Sequence, residues 1–141
     1  MPHLIAVRRG EPTDLPEVRA IQAASPQAAQ WDVTDYLQYD LRVALQSVRV
    51  AGFLVARTLA PGESEILNVA VAPELRRQGV ARALVGALLS DLEGALFLEV
   101  RASNVAALDF YKCLGFQEVT TRREYYEKPP EPAIVMKFHS C

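Results

Sequence analysis

One sheet with helices packed on it, a mixed α/β (α+β) fold, is predicted by three features of this 141-residue chain. β-type runs and helical stripes succeed one another in the order β-α-α-β-β-β-α-β-α-β-β. The apolar strand Val69-Ala70-Val71-Ala72 passes through Pro73 into a basic glycine turn and then an apolar helix. Half of the residues are hydrophobic and 23% are charged, the balance of an ordinary globular domain. A chain of this length buries a core without staples, and a single domain is expected over residues 1–141.

The elements follow from local chemistry. Leu4-Ile5-Ala6-Val7-Arg8 is a short β run. At Thr13-Asp14-Leu15-Pro16-Glu17 a helix starts: Thr13 or Asp14 caps it, Pro16 suits the first turn, and Glu17 lies near the positive end. Leu15, Val18 and Ile21 share its buried face, and Ser25-Pro26 ends it. A second helix is expected from Asp32–Thr34 through Tyr36-Leu37. Strands follow at Val43–Val48 and Ala51–Thr58, with the turn between them near Arg49–Gly52. Ala60-Pro61-Gly62 is a second turn, and Glu65–Ala72 the next strand. In Val80–Leu92, apolar residues at Val80, Leu84, Leu88 and Leu92 form a stripe widened by Val85 and Leu89, stopped at Glu93-Gly94. Leu96–Val100 is a strand, Asn104–Leu114 a helix ended by Gly115, and Phe116–Thr121 a strand. Pro129, Pro130 and Pro132 mark a loop before a last strand, Ala133–Phe138.

The turn at Arg76-Arg77-Gln78-Gly79 carries the chemistry. It opens a helix, whose first N–H groups lack backbone partners and whose dipole end is positive. Gly79 allows close approach to the backbone. Arg76, Arg77 and Arg82 add charge, so the turn is a candidate pyrophosphate seat. It is neither G-x-x-x-x-G-K-[ST] nor G-x-G-x-x-G.

Composition argues against other classes. A net charge of −2 gives no basic excess to neutralise a nucleic-acid backbone. Cys113 and Cys141 provide neither a disulfide framework nor zinc spacing, and His3 and His139 lie near opposite ends, so no metal site is expected. Cys113, with no histidine near in sequence, is expected to be a buried core residue. Met1-Pro2-His3-Leu4 leads to Arg8-Arg9 without the apolar core of a signal peptide. No run of about 18 apolar residues occurs, so no membrane span and a cytoplasmic location are expected. Oligomeric state is not set by these features.

Arg76-x-x-Gly79-x-Ala81 after an apolar strand resembles the acetyl-CoA loop, Q/R-x-x-G-x-G/A, of the GNAT acetyltransferase superfamily. A second stretch, Val100 to Asn104, Ala107, Tyr111 and Gly115-Phe116, resembles that superfamily's V-x-x-x-N-x-x-A-x-x-x-Y-x-x-x-G-F. The two stand in the right order, with one strand between them. Asn104 suits a helix cap, and Tyr111 lies two turns further along the same face. Glu99-Val100-Arg101-Ala102-Ser103-Asn104, Arg122-Arg123-Glu124-Tyr125-Tyr126, and Asn68 before Val69-Ala70-Val71 look like the bacterial ribosomal-protein alanine N-acetyltransferases.

The resemblance implies a mostly antiparallel sheet of about six to seven strands flanked by about four helices. It implies acetyl-CoA as acetyl donor. Its contacts would be Val69, Ala70, Val71, Arg76, Arg77, Gln78, Gly79, Val80, Ala81 and Arg82, with Asn104 and Tyr111 beside them. Glu99 would accept a proton and Tyr111 donate one. Trp31, Asn68, Tyr125 and Tyr126 would face the acceptor, a protein N-terminus. There are departures: Ala81 replaces the second glycine, Glu124 a frequent asparagine, Ser25–Trp31 lacks F-x-x-P-W, and Asp91–Leu96 is about four residues short. Read without the resemblance, Glu99 is better taken as a strand-end acid paired with Arg101; Glu63 and Glu65 are reserve bases. Two other functions stay open: acetylation of a lysine or small-molecule amine, and a non-catalytic acyl-CoA-binding module.

Overall fold

A computed structural model describes residues 4–127 and 130–139, with side chains described for 4–122 and 131–139. The strands are β1 (Ile5–Arg9), β2 (Asp40–Gln46), β3 (Arg49–Ala60), β4 (Glu63–Val71), β5 (Ala95–Arg101), β6 (Gln117–Glu127) and β7 (Pro130–His139). They form one seven-stranded sheet in the order β1-β2-β3-β4-β5-β7-β6. The β1–β2, β2–β3, β5–β7 and β6–β7 pairs are antiparallel, and β4–β5 is parallel. The α-helices are α1 (Leu15–Ala23), α2 (Val80–Asp91) and α3 (Val105–Cys113); a 3-10 helix spans Val33–Gln38. The α+β architecture and its mostly antiparallel sheet are as expected.

The chain divides into two compact units, Met1–Arg57 with Leu67–Asp91 and Thr58–Ile66 with Leu92–Cys141. In the first, Leu15, Val18 and Ile21 of α1 pack with Val33, Tyr36, Phe53 and Val55. The expected stripe of α2 is buried at Val80, Leu84, Val85 and Leu88. Asp14 closes the start of α1 by an unforeseen route. Its buried carboxylate accepts two bonds from the Arg8 guanidinium, at 2.7 and 2.9 Å, and one from the Glu11 N–H at 2.8 Å. The pairing with Arg8 holds this carboxyl below the usual aspartate range.

Three expectations need correction. The β2–β3 turn lies at Ser47-Val48, where Ser47 takes φ 59°, and not at Arg49–Gly52. Gly52 instead sits inside β3, because a β-carbon there would lie 2.8 Å from the Ala70 carbonyl and 2.9 Å from Val80 Cγ1. The second helix is 3-10 throughout, opened by Asp32, whose side chain accepts the Thr34 N–H. Of the three prolines expected in a loop, Pro130 and Pro132 stand in β7, and Pro129 lies outside the described residues. Arg122 pairs with Ala133 and Tyr126 with Glu131, so Pro132 falls in a register break. A bulge tolerates a residue with no N–H to donate.

In the second unit, β5 pairs with β7 from Ala95↔His139 to Arg101↔Ala133. The short link before β5 is possible because Gly94, at φ 110°, lies against the Gly62 turn. There the Ala95 N–H donates to the Gly62 carbonyl at 2.8 Å.

Candidate active site

The basic glycine turn is built by the end of β4. The β2–β3 register passes from Ala44↔Gly52 to Leu45↔Val50, which leaves Ala51 as a bulge. Its carbonyl accepts the Ala72 N–H at 2.8 Å and fixes where β4 ends. Pro73–Leu75 form one 3-10 turn; Arg77 and Gly79 then take φ 64° and 85°. A left-handed arginine is uncommon and marks a turn held by its surroundings. The first intrahelical bond of α2 runs from the Ala83 N–H to the Gly79 carbonyl at 2.9 Å. The N–H groups of Val80, Ala81 and Arg82 therefore precede the helical ladder. Nothing lies within 4 Å of a β-carbon built on Gly79. An open turn with preceding N–H donors, beside exposed Arg77 and Arg82, fits a pyrophosphate.

Arg76 is placed differently from its neighbours. Its Nε donates to the Val71 carbonyl and its Nη2 to Ser25 Oγ, both at 3.3 Å. Gln78 accepts from Gln46 Nε2 at 3.0 Å.

Asn68, on β4 just before Val69, is buried. Its Oδ1 accepts the Ala29 N–H at 3.2 Å. Its Nδ2 donates to Ala29 O at 2.9 Å, the Tyr36 hydroxyl at 3.0 Å and Gln22 Oε1 at 3.2 Å. The Tyr36 hydroxyl in turn donates to Gln22 Oε1, and Gln22 Nε2 donates to the Trp31 carbonyl at 2.6 Å. Trp31 is 48% exposed, its ring edge-on to Tyr36 at 6.5 Å. Gln22 and Tyr36 were not legible as site residues, because their bonds to each other and to Asn68 span 14 to 46 residues of the chain.

The second unit carries the acid–base candidates. Glu99 faces Val135 across the β5–β7 ladder and is ion-paired with Arg122 of β6. The Glu99 side chain is 17% exposed and that of Arg122 53%. The alternative partner, Arg101, instead meets Glu131 at 3.4 Å. The reserve acids Glu63 and Glu65 lie in the parallel ladder, opposite Ala95 and Phe97. Asn104 caps α3 by accepting the Ala107 N–H at 3.2 Å. Tyr111 is 5% exposed, with rings of Phe110 and Phe116 edge-on at 5.0 and 5.4 Å. Burial raises its phenol above the ordinary tyrosine range. Gly115, at φ 103°, ends α3, and the Phe116 N–H donates back to the Tyr111 carbonyl at 3.0 Å.

Cys113 is exposed and not a core residue. It lies two positions past buried Tyr111, about 200° around the helix and on its far side. The Tyr125 and Tyr126 side chains lie outside the described residues, and so does Cys141; the backbone of the two tyrosines belongs to β6. Among the described residues, no group of three or more His, Cys, Asp or Glu side chains is placed to hold a metal ion. No helix there is long and apolar enough to cross a membrane.

The model of the acetyltransferase (GNAT) family matches residues 11–116. The ribosomal protein bS18-alanine N-acetyltransferase of Escherichia coli (strain K12) is 41% identical over 107 residues, 72% of this chain and 70% of that protein. The crystal structure of the ribosomal-protein-S18-alanine N-acetyltransferase from Escherichia coli superposes with a TM-score of 0.83 at 34% identity, covering 96% of this chain and 94% of that one. Ard1 from Thermoplasma volcanium gives a TM-score of 0.87 at 28% identity, covering 97% and 98%. With the glycine turn opening α2 and the Asn104–Phe116 stretch forming α3 and its end, the chain belongs to the GNAT family and is an acetyl-CoA-dependent N-acetyltransferase.

Proposed function

We propose that the acceptor is the N-terminal α-amine of a protein with a small first residue, with a ribosomal protein as the natural candidate and the cytoplasm as the place of reaction. The observation that carries this is the 41% identity to an enzyme named for the alanine of ribosomal protein bS18.

Bound acetyl-CoA supplies an activated acyl thioester. The Arg77–Gly79 turn and the N–H groups of Val80, Ala81 and Arg82 hold its pyrophosphate. A backbone N–H of Val69–Val71 donates to the thioester oxygen as charge develops there. Arg76, tied to Val71 and Ser25, keeps the turn in place. Glu99 takes the proton the amine loses, directly or through one water, and Arg122 competes for the same carboxylate. Attack forms the carbon–nitrogen bond, collapse of the tetrahedral adduct breaks the carbon–sulfur bond, and CoA leaves as a thiolate that takes its proton from solvent. Tyr111 donates a hydrogen bond to that sulfur. A phenol near pKa 10 giving up its proton to a thiolate near 8.5 is uphill by about 2 kcal/mol, and burial of Tyr111 steepens the step. Donation without full transfer is the cheaper course.

Energetics favour the α-amine. At pH 7, neutralising a lysine costs about 3 kcal/mol more than neutralising an α-amine, from a pKa difference of roughly 2.5. The test is mass spectrometry of peptides incubated with acetyl-CoA. A peptide with a free alanine or serine first should be acetylated faster than the same peptide blocked there and carrying a lysine. A faster blocked lysine peptide would overturn the N-terminal assignment and leave the family assignment standing.

A further inference from the structure

The cluster of Gln22, Tyr36 and Asn68 joins α1, the 3-10 helix and β4 beneath the Ser25–Trp31 loop. All three side chains are buried, and no buried side-chain polar atom among the described residues lacks a partner. Three apolar residues of similar size would hold such a site together nearly as well, since hydrogen-bonded pairs add little net stability. What hydrogen bonds add is direction. Here they end on loop backbone: both polar groups of Ala29 are held by Asn68, and the Trp31 carbonyl by Gln22. From the loop side, Gln30 Nε2 donates to the carbonyls of Gln22 at 2.9 Å and Ser25 at 3.1 Å. The Trp31 ring, held edge-on to Tyr36, is the half-exposed group this frame presents.

We infer that Gln22, Tyr36 and Asn68 are positioning residues for acceptor selection: they fix the Ser25–Trp31 backbone, and so the Trp31 indole, relative to the Val69–Val71 end of β4. Discrimination of the acceptor's first residue then depends on this frame, a step that rests on the N-terminal reading above. Asn68 acts through the loop and not by contact with the acceptor.

Trp31 is the only tryptophan in the chain, so its fluorescence reports the frame without any turnover. Tyr36→Phe keeps the ring and removes the hydroxyl shared by Asn68 and Gln22. Gln30→Ala cuts the loop bonds from an exposed position where the core is untouched. Both variants should shift Trp31 emission to the red and raise its quenching by acrylamide, with Tyr36→Phe the larger. With acceptor peptides, Tyr36→Phe should raise KM roughly five- to tenfold, the worth of about one net hydrogen bond, while kcat and CoA affinity hold. The preference for small over large first residues should narrow. Unchanged emission and quenching in both variants would overturn the frame. Altered fluorescence with unchanged peptide KM and first-residue preference would overturn its role in selection. Wild-type protein that acetylates no peptide α-amine would instead overturn the acceptor assignment, while the fluorescence still decides whether the frame exists.

Discussion

Gly79 and Gly94 have similar backbones and opposite surroundings. Both take positive φ, 85° and 110°. Around Gly79 a β-carbon would meet nothing within 4 Å, whereas at Gly94 it would lie 2.1 Å from the Gly62 carbonyl oxygen. Gly79 leaves space at the head of a helix, where N–H donors precede the hydrogen-bond ladder. Gly94 fills its space with main chain, and the Ala95 N–H bonds across the contact. Read from sequence as a close-approach glycine in one place and a helix stop in the other, the same residue type leaves open space in the first and meets main chain in the second.

Substitutions can separate these roles. The largest effect on the fold is expected from Gly94→Ala, which adds a backbone clash to an unfavourable φ. It should cost roughly 3 kcal/mol or more, seen as a lowered urea midpoint. An unchanged midpoint would mean that the two turns do not touch. Gly79→Glu should cost about 1 kcal/mol of stability, the price of positive φ alone. It should nonetheless abolish CoA binding by calorimetry, because a side chain and a negative charge enter the pyrophosphate seat. Undiminished affinity would remove the seat from this turn. Gly62→Ala supplies the reference: φ is 77° with no atom within 4 Å. It should lose about 1 kcal/mol and leave CoA affinity intact, which isolates the backbone term. Glu99→Gln marks the far end of the scale, with little change in the fold. Turnover should fall most at low pH, where the amine is protonated, and recover partly as pH rises, with CoA affinity kept. An equal deficit from about pH 6 to 9 would count against Glu99 as the base.

Much of this was legible because local rules and packing agreed. The Val80–Leu88 stripe, the Asn104 cap and the Gly115 stop each carry their signal within a few residues. Where the sequence misled, a residue type had two uses. Gly52 looked like a hairpin glycine but makes room for the Ala70 carbonyl, while Ser47 turns the chain. The prolines looked like a loop, yet a bulge lets the strand keep Pro132. Asn68 was noticed for its place before Val69-Ala70-Val71, but its partners come from α1, a loop and the 3-10 helix. No local pattern announces contacts made across such separations. Arg122 was noticed as part of a motif, and only the register of β6 on β7 brings it to Glu99.

The position of β7 bears on how the enzyme comes into being on the ribosome. This strand is made after β5 and β6, yet it lies between them and bonds to both. While the chain is being translated, β5 and β6 each expose an edge that only residues Pro130–His139 will cover. Unpaired edges invite pairing with other chains. Glu99 stays unframed for the same interval, since both its ladder partner Val135 and the strand that seats Arg122 arrive with this insertion. Early termination within β7 would therefore leave the inner edges of β5 and β6 open to pairing with other chains, and Glu99 without its ladder partner.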